Sequence, residues 1–310
     1  MLHTGDNVDD DANKDIRHFF QEHFAELGGS SFPKWPGEYV LDALTQRAAG
    51  LFIWAETVVR FLEQGLPNEQ LSLVLKSDLG GEDSITKLYR QVLKSAFRDA
   101  NSRMLEVTRV VMSTIVLAKV PLYYADVHKF VSQPHQSIEF ILKKLAAVIL
   151  IGNTDKHVYF GHLSFSEFLC DSKRCPEQFF IDRGKDSRQL AEACFRLMKD
   201  GLKFNICDLE TSYVLNKNLP ERISKQIETT IPPPLSYSCR FWTVHVQDTT
   251  IYEDGSDAFI TEVEDFLRVR LLYWLEVMSL IEEVSGANTA VLTVVSCIQV
   301  RHYSLIPFHI

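Results

Sequence analysis

Val158-Tyr159-Phe160-Gly161-His162-Leu163-Ser164-Phe165-Ser166-Glu167-Phe168-Leu169 is the stretch on which the reading of this chain turns. Its first residues follow a strand pattern, and from the histidine onward the pattern is helical. Just before it, Ile149-Leu150-Ile151 is a second strand-like run that ends in the turn residues Gly152-Asn153-Thr154-Asp155. Together the two runs predict a β-hairpin that delivers His162 to the junction of a strand and a helix. A side chain at such a junction is held by two rigid elements, which suits a residue that must reach a ligand. The competing reading is a boundary histidine, hydrogen-bonded to backbone among its aromatic neighbours. Spacing does not separate the two, because function is argued from the geometry of a site.

Around this stretch the chain runs to 310 residues, room for two to four small domains. Its hydrophobic fraction of 46% is ordinary for a globular protein. The net charge of −9 argues against broad contact with a nucleic-acid backbone. No apolar run reaches the roughly 18 residues of a membrane helix. The stretch 107–124 is broken by Arg109 and Lys119, and 290–300 is too short. The N-terminal residues lack the basic start and apolar middle of a secretory signal, so the chain is read as cytoplasmic. Six cysteines, at 170, 175, 194, 207, 239 and 297, form no Cys-x-x-Cys pair. They are expected to be reduced and mostly buried.

Helical periodicity dominates the rest. Ile16, Phe19, Phe20, Phe24 and Leu27 share one face of a lead-in helix over 13–27, closed by Gly28-Gly29-Ser30-Ser31. Trp35-Pro36-Gly37 opens a second helix carrying Val40, Leu41 and Leu44. Residues 47–62 then form a strongly apolar helix, expected to be buried on most sides. Gly65-Leu66-Pro67-Asn68 breaks the chain before a shorter helix over 69–76. Gly80-Gly81-Glu82-Asp83 is the clearest linker, with Ser84 as N-cap of the next helix. That helix places Ile85, Leu88, Tyr89, Val92, Leu93 and Phe97 on one face. A second follows over 105–117, then an extended link at 121–124. A short helix capped by Asp126 runs through Val131, and a longer one spans 137–148. Helix, helix, short helix, longer helix, hairpin is the order of a winged-helix domain. Beyond Cys175-Pro176 the pattern is almost wholly helical. Leu190, Cys194, Leu197 and Met198 are in register over 187–202, a proline-stiffened joint lies at 229–234, and an aromatic-rich helix spans 235–246. A long, kinked stretch over 257–283 and a helix over 287–300 complete it.

Four segments, in order, carry a family resemblance. Arg47-Ala48-Ala49-Gly50-Leu51-Phe52-Ile53-Trp54-Ala55 is the first, and the histidine segment is the second. The third is Ala193-Cys194-Phe195-Arg196-Leu197-Met198 with residues 202–209. The fourth is residues 231–242 with Leu272-Tyr273-Trp274-Leu275-Glu276-Val277. Together they resemble the region that follows the NTPase core of fungal NACHT-type STAND proteins. The resemblance implies a mainly α fold: a lead-in helix over 1–34, a first helical domain over 35–82, a winged helix with a β-hairpin wing over 84–170, and a second helical domain over 176–310. In that family the histidine corresponding to His162 touches the phosphates of bound ADP. Gly50 and Phe52 fall where relatives carry a Gly-x-Pro turn that packs on adenine, and phenylalanine in place of proline departs from that pattern. His162, Gly50 and Phe52 are therefore nucleotide-contact candidates only when an NTPase core is supplied.

That core has no counterpart in the sequence. No Gly-x-x-x-x-Gly-Lys-Ser/Thr loop occurs, and Gly28-Gly29 and Gly80-Gly81 lack the lysine and hydroxyl that hold phosphate and Mg²⁺. The chain is thus expected to be a fragment, a truncated gene or a core-less paralogue, without a cofactor of its own; ADP and ATP belong to intact relatives. It is expected not to be an enzyme. Its role would be regulation or interaction in a signalling protein of the innate-immunity or heterokaryon-incompatibility type. Protein partners are implied, an NTPase core and repeat-domain proteins among them.

Three other readings compete. A DNA-binding winged helix would read through residues 137–148, which carry only Lys143 and Lys144. A hydrolase or metal enzyme lacks a Gly-x-Ser-x-Gly elbow, and His18-Phe19-Phe20-Gln21-Glu22-His23 is one residue too long for a shared helical face. His157 and His162 have no third ligand nearby in sequence. A plain helical interaction scaffold agrees with the family reading except at His162, which only the family reading sets against a phosphate.

Overall fold

The computed structural model describes residues 10–28, 35–76, 84–211, 221–249 and 257–304. The architecture is mainly α with three short strands, as the periodicity predicts. In chain order the elements begin α1 (Asp10–Gly28), α2 (Glu38–Ala48), α3 (Phe52–Glu63), α4 (Pro67–Lys76), α5 (Ser84–Ala96) and α6 (Ser102–Leu117). Then come β1 (Leu122–Tyr123), α7 (Val127–Val131), α8 (His135–Lys144), β2 (Ile149–Ile151), β3 (His157–Phe160) and α9 (Leu163–Leu169). The remainder is helical: α10 (Arg183–Gly201), α11 (Glu221–Thr230), α12 (Pro233–Gln247), α13 (Asp257–Val269), α14 (Leu271–Leu280) and α15 (Ala287–Ser304). The chain divides into two compact units, Met1–Arg109 with His135–Phe180, and Val110–Pro134 with Ile181–Ile310. The division runs through the span 84–170. The expected linker at 80–83 and the residues 29–31 lie outside the described residues. No described helix is long and apolar enough to cross a membrane.

In the first unit α1, α2 and α3 pack on one another. Ile16, Phe20 and Phe24 of α1 meet Leu41, Leu44 and the fully buried Trp54, Ala55, Val58 and Leu62. The apolar run 47–62 is not the continuous helix its periodicity suggests. Ala49 (φ 48°) and Gly50 (φ 78°) both adopt left-handed backbone, which ends α2 and lets α3 start at Phe52. Ala49 N–H donates to Thr45 O, a helix-ending bond, and Gly50 takes positive φ without a Cβ penalty. Arg47 has a structural job at this corner: its guanidinium donates to Val74 O at 2.7 Å and Leu75 O at 2.9 Å, capping the C-terminus of α4. Pro67 opens α4, where its missing N–H is harmless.

Leu88, Tyr89, Val92 and Leu93 of α5 continue this core to Phe165 and Phe168 of α9. Ile85, expected on the apolar face, is only half-buried. Thr86 turns inward instead, and its hydroxyl accepts from Arg174 Nε at 2.8 Å. Helix α8 starts two residues before the expected position and ends at Lys144, not Val148. The apolar residues Leu145, Ala147 and Val148 are buried in a turn rather than in helix. The hairpin forms in the expected place. Ile149 pairs with Phe160 and Ile151 with Val158, antiparallel, and Gly161 N–H donates to Val148 O at 2.8 Å. Gly152 leaves room in its turn for the Asp155 carboxylate, since a Cβ there would lie 1.8 Å from Asp155 Oδ1.

The second unit is built on α10 and α12, with α7, α14 and α15 against them. Its core is aromatic. Trp242 stands edge-on to Trp274, ring centroids 5.8 Å apart, and also meets Phe195 and Phe266, while Phe195 in turn meets Phe259 and Phe266. Trp274 Nε1–H donates to Cys239 O at 2.8 Å. Helix α10 begins four residues before the expected Ser187, because Asp182 accepts from Gly184 N–H and Lys185 N–H and caps it there. Phe195, rather than Leu197, takes the buried register position. Asp126 precedes α7 but makes no cap bond; it pairs with Lys129 at 2.8 Å. The kink expected within 257–283 is a break at Arg270.

A buried histidine gives this second core a pH dependence. Lys119 N–H donates to the Tyr237 hydroxyl at 3.1 Å, and that hydroxyl is hydrogen-bonded to His245 Nε2 at 2.9 Å. His245 is fully buried, and its Nδ1 has no partner among the described residues. Burial, with the Lys119 charge second, pushes its pKa down to about 4. The unfolded chain therefore binds the proton more readily, and stability is lost as pH falls from about 6.5 towards 4.

Two outcomes follow. Trp54→Ala should lower the stability of the chain by about 3 kcal/mol or more, the scale for deleting a buried aromatic. Urea denaturation checks it, and wild-type stability would contradict the packing. In the same assay, lowering the pH from 7 to 5 should remove about 2 kcal/mol through His245. His245→Gln should abolish that part of the slope; an unchanged slope would mean that His245 does not carry it.

Candidate functional site

Where β3 ends and α9 begins, His162 occupies the N-cap position with extended backbone. Caps are usually Ser, Thr, Asp or Asn, whose oxygens accept from the first free N–H groups of the helix. Here the imidazole does so. Ser164 N–H donates to His162 Nδ1 at 3.1 Å, and Ser164 Oγ lies 2.8 Å from the same nitrogen. A backbone N–H can only donate, so Nδ1 is an acceptor and the neutral ring carries its proton on Nε2. Behind Ser164 stands Tyr89, whose hydroxyl is 2.8 Å from Ser164 Oγ. Burial pushes the Tyr89 phenol above its ordinary value, so it remains a protonated donor. The relay runs Tyr89 O–H to Ser164 Oγ, Ser164 O–H to His162 Nδ1, and leaves Nε2–H on an exposed side chain. Phe165 and Phe168, 1% and 0% exposed, supply the packing beneath it.

His162 lines a small cleft with α3. Ile53, Glu56, Thr57 and Arg60 form one stripe of that helix, at helical spacing, and the cleft they share with Tyr89, Gly161 and His162 has a cavity volume of about 10 Å³. Arg60 pairs with Glu56 one turn earlier on the same helix. Its guanidinium lies against Gly161: a Cβ at that glycine would be 3.1 Å from Arg60 Nη1. The glycine before the histidine thus lets a cation approach the backbone beside it. The sequence reading did not single out Arg60, Tyr89 or Ser164. A signal for Arg60 existed, because it is the one cation in α3.

The other candidates sit elsewhere. Gly50 is the left-handed corner between α2 and α3. Phe52 is 47% exposed at the start of α3, and its ring meets Phe19 of α1 at 4.8 Å. Neither lines the cleft of His162. His157 opens β3, with its Nδ1 3.3 Å from Asp155 Oδ2 of the hairpin turn. No group of His, Cys, Asp and Glu able to hold a metal ion occurs among the described residues. The five described cysteines are free, and four are buried. Burial pushes the Cys175 and Cys194 thiols up to about 12, so neither supplies a thiolate near neutral pH.

Comparison with known proteins gives one informative result. Vegetative incompatibility protein HET-E-1 of Podospora anserina is 22% identical over 276 residues, which cover 81% of this chain. The match takes in 19% of that relative, so the chain spans about a fifth of its length. No family model matches the chain, and no solved structure matches it. The likeness is distant, and it is to a fungal vegetative incompatibility protein.

The geometry separates two contributions of His162. His162→Ala should cost about 1 kcal/mol through the lost cap, and His162→Asn should cost little, because asparagine is a preferred cap. Phe165→Ala should cost about 3–5 kcal/mol as a core truncation. Urea denaturation of the three variants reads these differences; equal stability of His162→Ala and wild type would mean that the cap bond contributes nothing.

Proposed function

We propose that this chain is a non-catalytic regulatory segment of a fungal NACHT-type signalling protein, in which His162 donates a hydrogen bond to a nucleotide phosphate held by an NTPase core. The observation that carries this reading is the engaged Nδ1. With that nitrogen accepting from Ser164, the exposed donor of the ring is Nε2–H. Arg60 in the same cleft adds a positive charge, partly offset by Glu56. A phosphate oxygen suits such a site, and a charge-assisted bond there is stronger than a neutral one.

A whole nucleotide does not suit it. The cavity volume of the cleft is about 10 Å³, room for about one water-sized group and far below the ~300–1,000 Å³ of small-molecule sites. The residues present fit a phosphate edge, and the remainder of the nucleotide would rest on the core. The distant likeness to a vegetative incompatibility protein supports the family part of the reading. Lys144 of α8 weakens the rival reading as a DNA reader: its ammonium donates to Ala96 O at 2.9 Å instead of facing outward.

The mechanism follows from differential affinity. A nucleotide that meets His162 favours the arrangement in which this segment closes over it, by the free energy of that contact. Exchange for a nucleotide whose phosphates sit differently removes the contact and releases the segment. Alone, the chain should show no measurable ATP or ADP binding by calorimetry; micromolar affinity would overturn the division of labour. Fused to an NTPase core of a relative, wild type should retain ADP longer than either His162→Ala or His162→Asn. Because His162→Asn keeps the cap, equal retention by His162→Asn and wild type would remove the phosphate role.

A further inference from the structure

On α5 and the turn that follows it, Arg90, Lys94 and Arg98 recur every four residues and so share one side. With Leu93, Phe97 and the segment around Pro176 and Phe179 they line an open groove of about 370 Å³. Its floor is apolar. Phe97 and Phe179 are 6% and 2% exposed, with ring centroids 5.7 Å apart. No aspartate or glutamate lines it.

The three cations are not equivalent. Arg90 is committed to the fold, donating to Arg174 O at 2.6 Å and Lys173 O at 3.1 Å. Lys94 and Arg98 are exposed and hold no hydrogen-bond or carboxylate partner among the described residues. Cations near a helix C-terminus ordinarily offset its exposed carbonyls. In α5 another residue already serves there, since Lys144 donates to Ala96 O. Two uncommitted cations therefore stand over an aromatic floor, on a chain whose net charge is −9.

We propose that this groove docks an acidic peptide segment of a partner protein, its carboxylates on Lys94 and Arg98 and an apolar side chain over Phe97 and Phe179. Arg98 offers a planar fork that matches a carboxylate with two parallel bonds. Opposite charge selects the partner and speeds encounter, while the apolar contact adds specificity. A nucleic acid is the poorer occupant. Two free cations neutralise few phosphates.

The test uses the full chain and fluorescence anisotropy. The probe is a short labelled peptide of glutamates interspersed with leucine and phenylalanine. An all-glutamate peptide and a single-stranded DNA of equal charge are the comparisons. Saturable binding of the mixed peptide is expected, weakened about tenfold or more by Lys94→Glu or Arg98→Glu. Lys203→Glu, an exposed lysine of the other unit, should leave it within about twofold. Arg98→Gln, which removes the charge without reversing it, should weaken binding by a smaller factor and guards against a folding defect in the reversals. Absence of saturable binding would overturn the proposal. So would equal weakening by Lys203→Glu, or equally tight binding of the all-glutamate peptide or the DNA.

Discussion

Ser164 N–H donating to Nδ1 of His162 is the bond on which the site depends. It starts α9 by satisfying one of the free N–H groups at the helix entrance. It also decides the chemistry of the ring, because a nitrogen that accepts from backbone cannot hold a proton without losing that bond. An aspartate cap would have started the helix equally well and presented no donor. Histidine does both, and the hydroxyls of Ser164 and Tyr89 hold the arrangement from behind.

The same economy shows in α3. Trp54, Ala55, Val58 and Leu62 fill the core, Ile53, Glu56, Thr57 and Arg60 line the cleft, and Phe52 meets α1. Three faces of one helix serve three neighbours, which is why its apolar residues extend beyond a single stripe. The Arg47–Ala55 segment that carries part of the family resemblance is accounted for by packing: a cap for α4, a left-handed corner, and a buried tryptophan.

Much of this was legible in the residues. The hairpin and the strand-to-helix junction at His162 follow from patterning and turn residues, and the helical faces follow from periodicity. What escaped has physical causes. The corner at Ala49 hides because alanine is the best helix former and carries no sign of left-handed backbone; only Gly50 marked it. Helix α8 was read too long because Leu145, Ala147 and Val148 are as buried in a turn as they would be in helix. Asp126 looked like a cap and instead pairs with Lys129, a choice between neighbours that spacing does not resolve. Arg60 meets Gly161 a hundred residues away, and no local pattern encodes that approach.

The tautomer of His162 is the most direct test of this account. Two-dimensional NMR correlating the ring nitrogens and carbon-bound protons of the labelled chain distinguishes a protonated from an unprotonated nitrogen at each position. The account requires Nδ1 to be unprotonated and Nε2 to carry the proton at neutral pH, with the Nδ1 signal changing when Ser164 is replaced by proline. A ring protonated on Nδ1, or one averaging between both tautomers, would contradict it.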